Sequence, residues 1–130
     1  MYQESTRSIQ ISVEPFYLDD QSAPAQSRFV FGYRVQIENQ GGEVVQLIGR
    51  HWRITDGLGR TLEVRGAGVV GKQPVLQPGE AFEYTSGTPL ATPSGIMVGS
   101  YQMVTPAGER FEVAIPAFSL DAPGRQTSLH

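Results

Sequence analysis

Residues 29–37, FVFGYRVQI, decide the fold. Phe29, Phe31, Tyr33, Val35 and Ile37 fall on one parity, and Arg34, Gln36 and Glu38 on the other. Successive side chains of a strand point to opposite faces, so this alternation predicts a half-buried β-strand. Shorter versions recur at Ile9, Ile11 and Val13; at Ile48, Trp52 and Ile54; at Leu62 and Val64; at Phe82 and Tyr84; at Met97, Tyr101 and Met103; and at Phe111, Val113 and Ile115. Between them stand Asn39-Gln40-Gly41-Gly42, Asp56-Gly57-Leu58-Gly59, Pro78-Gly79 and Pro106-Ala107-Gly108, which supply the positive or fixed φ that chain reversal needs. No segment keeps a 3.6-residue period for the length of a helix. The pattern predicts an all-β antiparallel sandwich of immunoglobulin or fibronectin type III-like topology, with seven to eight strands and a barrel as the structural alternative. The immunoglobulin pair of cysteines around a tryptophan is absent, so Trp52 is expected in the core with no disulfide to pack on.

A chain of 130 residues makes one domain that buries about two thirds of its unfolded surface. Residues 1–7 are expected as a flexible N-terminus, 8–120 as the sandwich and 121–130 as a flexible tail. The absence of cysteine excludes disulfides and thiolate metal sites and fits a reducing compartment. MYQESTRSIQ has neither the basic start nor the apolar core of a signal peptide, and no 18 apolar residues run together, so the expectation is a soluble, cytoplasmic protein with no membrane partner. Charge is uneven. Arg28, Arg34, Arg50, Arg53, Arg60, Arg65 and Lys72 outweigh Glu38, Glu43, Asp56 and Glu63, giving residues 28–72 a balance of +3, and each flank carries −3. An arginine-weighted middle suits anions or acidic partners, with scattered solvated strand faces as the alternative. A pI near 5.3 argues against nucleic acid.

GAGVVGKQ at 66–73 meets two phosphate-binding patterns and breaks both. Gly66, Gly68 and Gly71 spell G-x-G-x-x-G, but Pro74 and Pro78 leave no room for the helix that would aim its N-terminus at a pyrophosphate. No carboxylate stands in 86–95, where a ribose would be held. Gly66, Gly71 and Lys72 spell a Walker-type motif that ends in Gln73, without the hydroxyl that holds magnesium. The sequence therefore reads as a glycine-rich connection between strands.

RHWRITDGLGR at 50–60, RGAGVVGKQPVLQPGEAFEYTSGTPL at 65–90, PSGIMVGSYQM at 93–103 and FEVAIPAFSL at 111–120 together resemble the ApaG domain family, also called CorD. The resemblance spans about residues 8–120. It implies a fibronectin-type sandwich, a poorly defined function, a link to cobalt and magnesium tolerance, and interaction modules in similar eukaryotic domains. Arg50, His51, Trp52, Gly66, Gly68, Val69, Val70, Gly71, Tyr84, Gly99 and Tyr101 match its pattern. Lys72 and Ile96 depart from it, and the departure at Lys72 further weakens the Walker reading.

Catalytic residues are not expected, and neither is a cofactor. His51 lies between Arg50 and Trp52-Arg53, and reads either as a functional contact, a base or an anion ligand, or as a structural hydrogen bond. Ser86 lacks a nucleophile elbow. Asp19-Asp20 and His51 have no partners at metal-ligand spacing, so no metal is expected. The expectation is a non-enzymatic module that binds a protein partner through Arg65, Gly66, Gly68, Val69, Val70, Gly71 and Lys72, with Arg50 and His51 nearby. The alternative is a binder, less readily a hydrolase, of pyrophosphate or a nucleotide polyphosphate, a phosphate-containing small molecule, on bared backbone N–H groups. Val69 and Val70 are each either a plug in the core or an exposed anchor.

Overall fold

In the computed structural model, which describes residues 1–123, the strands are β1 (Tyr2–Thr6), β2 (Ile9–Tyr17), β3 (Phe29–Asn39), β4 (Val45–Asp56), β5 (Thr61–Ala67), β6 (Val75–Leu76), β7 (Ala81–Leu90), β8 (Ser94–Val104) and β9 (Arg110–Asp121). Short 3-10 turns at Asp19–Gln21 and Pro24–Gln26 join β2 to β3. All pairings are antiparallel, in two sheets ordered β1-β2-β3-β7 and β5-β4-β8-β9, with β6 also on β4. This is the expected sandwich, with its core between the sheets, but it has nine strands where seven to eight were expected, because β1 and the two-residue β6 carry no apolar alternation. Phe31, Val35 and Ile37 of β3 face Trp52, Met97, Tyr101 and Phe118 in one buried cluster. Trp52 packs edge-on against Tyr33 at 5.4 Å and Phe118 at 5.9 Å, geometry worth about 0.5–1.5 kcal/mol per pair beyond area burial. Among the described residues no helix is long and apolar enough to cross a membrane.

Several expectations need correction. Residues 1–7 were expected to be flexible, but Tyr2–Thr6 pair with Ile9–Val13 as β1. The joining turn is a two-residue reversal at Arg7 (φ 48) and Ser8 (φ 64), left-handed positions usually filled by Asn and Gly. At the other end, β9 takes in Asp121, and Ala122 is buried with its N–H donated to the Pro93 carbonyl. The rest of the tail, 124–130, lies outside the described residues. Ile48 does not share the buried face of Trp52. The β4–β8 register slips between Leu47 and Gly49, so Leu47 takes the core position and Ile48 turns outward. A second slip opposite Met97–Gly99 puts Pro116, which has no N–H to give, where β9 changes parity between Ile115 and Phe118. Leu62 keeps the predicted parity but is 61% exposed, on an edge strand that has no fully buried residue.

The sheets meet differently on their two sides. Where β1 lies by β9, Tyr2 Oη and Ser119 Oγ are 3.0 Å apart, and Ala114 N–H donates to Thr6 Oγ1 at 3.3 Å. Arg7 clasps Glu109 through Nη1 at 3.0 Å and Nη2 at 3.3 Å, with its guanidinium 4.2 Å above the Phe111 ring. On the opposite side, β7 and β5 end their sheets.

Candidate functional site

The glycine-rich loop interrupts an edge strand. β5 runs antiparallel to β4 up to the Gly49–Ala67 pair, the chain lifts off, and β6 rejoins β4 at the Gln46–Val75 pair. The excursion is pinned at both feet. Gly68 N–H donates to Ile48 O at 3.0 Å and Leu47 N–H to Pro74 O at 3.0 Å, while Gln73 Nε2 reaches Ile48 O at 2.9 Å. Its tip is a two-residue hairpin. Val69 and Lys72 exchange both backbone hydrogen bonds at 2.8 Å, and the central residues, Val70 at φ 42 and Gly71 at φ 78, are both left-handed, as a type I′ turn requires.

Each glycine of the G-x-G-x-x-G spacing has a structural cause here. A Cβ on Gly66 would come within 2.8 Å of Arg50 Nη1. One on Gly68, at φ +65, would come within 2.3 Å of the Lys72 carbonyl oxygen, backbone that cannot swing aside. Gly71 holds the second left-handed position of the turn. Three of the loop's N–H groups, those of Gly68, Val69 and Lys72, are engaged by backbone carbonyls.

The adjacent valines divide the two roles left open by the sequence. Val69 is fully buried in the core cluster, whereas Val70 is 54% exposed at the tip. A β-branched residue at positive φ is an outlier, costing about 1–2 kcal/mol relative to an ordinary backbone conformation.

Arg50 and His51 part company. Arg50 shares the inward parity of Trp52 and Ile54, and its Nη1 donates to the carbonyls of Ala67 at 3.2 Å and Gly68 at 2.9 Å. It thereby ties the loop to β4, and its charge also acts on the hydroxyls of Tyr33, Tyr84 and Tyr101. Burial raises the pKa of all three tyrosines, so they stay protonated, and Tyr84 and Tyr101 hydrogen-bond to each other through their hydroxyls. His51 lies on the outer face, cross-strand from Arg65, with Nε2 3.0 Å from Glu63 Oε2. Arg65 Nη2 is 3.9 Å from the same carboxylate. The hydrogen bond from His51, helped by the charge of Arg65, holds the Glu63 carboxyl below its ordinary value. Arg65 and His51 thus form an outer-face cluster, and Arg50, Gly66 and Gly68 an inner tether. Lys72 is exposed beside the tip.

Among the described residues, no three His, Asp or Glu side chains are grouped to hold a metal ion. Asp19 and Asp20 lie exposed on a 3-10 turn, and Ser86 stands opposite the buried Tyr33 in the β3–β7 ladder. One feature the sequence reading missed is a recess of about 420 Å³ in the outer face of the other sheet, lined by Phe16, Arg28, Val30, Gly32, Gly87 and Pro89. Gly32 and Gly87 stand opposite each other across β3 and β7, a pairing that single-strand patterns do not reveal.

Comparison with known proteins agrees with this architecture. The family model described as ApaG domain matches residues 19–105. Protein ApaG of Rhodospirillum centenum is 68% identical over 123 residues, covering 95% of each chain. Protein ApaG of Paramagnetospirillum magneticum is 60% identical over the whole of both chains. The crystal structure of an ApaA protein from Bordetella pertussis superposes with a TM-score of 0.86 at 51% identity, covering 95% of this chain and 97% of that one. By fold, length and sequence, the chain belongs to the ApaG domain family.

Proposed function

We propose that the protein is a non-enzymatic binding module that offers the tip of the 68–73 loop, headed by Val70, to a protein partner. The exposure of Val70 in a left-handed conformation carries this reading. Glycine would fill that turn position without strain, and Val69, pinned in the core, already anchors the loop. An apolar side chain held outward at a conformational cost fits an anchor for a partner's surface. Phosphate binding has weaker support, because the N–H groups of Gly68, Val69 and Lys72 are engaged within the loop and its feet and Arg50 is held by carbonyls.

Affinity capture from cell lysate with three forms of the protein tests this. Wild type and Leu58→Ser, altered at a 72% exposed leucine of the β4–β5 turn, should retain the same protein, and Val70→Gly should lose it. Equal capture by all three, or none by wild type, would refute the reading. Titration with pyrophosphate, followed by amide shifts at residues 66–72, checks the phosphate reading separately.

A further inference from the structure

Two hydrogen bonds fix the phase of the β4–β5 ladder. Asp56 N–H donates to Arg60 O at 2.9 Å and Gly68 N–H to Ile48 O at 3.0 Å, one at each end of the register that pairs Trp52 with Val64. In an antiparallel ladder, the residues that exchange bonds recur at every second position. Leu62, Val64 and Gly66 therefore turn N–H and C=O toward β4, and Thr61, Glu63, Arg65 and Ala67 turn theirs away. Among the described residues no strand lies on that side, because β5 ends its sheet. The edge of the other sheet is guarded. The bond from Asn39 N–H to Glu80 O phases β7 so that Pro89 faces outward with no N–H to offer. Residues 61–67, TLEVRGA, contain no proline, and their register on β4 is unbroken.

We infer that a second copy of this chain occupies the edge, its β5 antiparallel to this one about a two-fold axis at Val64. In that register Glu63 stands opposite Arg65 of the second copy, and Arg65 opposite its Glu63, both as hydrogen-bonded pairs built from the outward-turned backbone groups. Opposite charges directly across a ladder stabilise it, and like charges oppose it. Moving the axis one residue sets Glu63 against Glu63, or Arg65 against Arg65, so the charges select a single register. Val64 then meets Val64, and the exposed Leu62 lies opposite Gly66 of the second copy, beside the Arg50 side chain that covers that glycine. The contact is self-complementary, as a closed two-fold dimer requires. It joins the two β5-β4-β8-β9 sheets into one, the strand-addition mode of recognition.

Sedimentation equilibrium over a range of concentrations tests the dimer, with circular dichroism to check folding. Wild type should dimerise reversibly, and Glu63→Arg and Arg65→Glu should each weaken the dimer about tenfold or more. The two variants complement each other in this register, so an equimolar mixture should restore association as a heterodimer. That rescue separates lost pairing from damaged folding. Arg65→Pro, which removes an outward N–H and leaves the bonds to β4 intact, should also give monomer, and Lys72→Glu, outside the register, should leave the dimer unchanged. Wild type that stays monomeric at millimolar concentration, a dimer indifferent to both reversals, or reversals that do not rescue one another would overturn the inference.

Discussion

Along the side where β1 meets β9, hydroxyls of one sheet reach the backbone of the other, and the Arg7–Glu109 clasp closes the corner. Along the side where β5 and β7 end their sheets, the outward backbone groups of Glu63 and Arg65 have no strand among the described residues to pair with, and the strained, exposed Val70 tops the loop beside them. The first side has the features of stability. The second has features that folding alone does not call for, which is why the proposed binding surfaces lie there.

Breaking the closed side should have the largest effect. Tyr2→Ala removes a ring packed 6.0 Å from Phe118 together with the hydroxyl bonded to Ser119, and should lower the unfolding free energy by about 3 kcal/mol in urea titration. Next comes the foot of the loop. Gly68→Ala forces a Cβ against the Lys72 carbonyl at positive φ and should cost about 2 kcal/mol, with amide shifts concentrated in residues 66–74. At the tip the sign reverses, and Val70→Gly should stabilise the protein by about 1 kcal/mol, the relieved strain less the added freedom of the unfolded chain.

The smallest effect is electrostatic. The bond from Arg7 holds the Glu109 carboxyl below its ordinary value of 4.5. With a lowered folded-state value, the stabilisation is complete above the ordinary value and is lost as pH falls through the folded one. Melting temperatures taken from neutral pH downward should therefore fall less steeply below about pH 4.5 in Glu109→Gln than in wild type.

The sandwich was legible because strands such as 29–37 alternate over their whole length and are separated by glycine and proline turns. β1 was not, since YQEST carries one large apolar residue and its turn, Arg7-Ser8, lacks the usual left-handed residues. The Ile48 parity failed at a slip in register, which single-strand periodicity cannot show. In the loop, proline spacing left no room for the helix of a nucleotide motif, but two adjacent valines carry no period and so could not be sorted into plug and tip. The sequence reading grouped Arg50 with His51, although they are adjacent on β4 and alternate, Arg50 with Trp52 on the inner face and His51 on the outer.

The central claim is that the open side keeps features that folding does not need, and Val69 and Val70 test it within one dipeptide. Unfolding free energies of Val69→Ala and Val70→Gly, measured side by side in urea, should move in opposite directions, down by about 2 kcal/mol and up by about 1 kcal/mol. A Val70→Gly protein that is less stable than wild type would show that Val70 serves the fold, and would contradict the account.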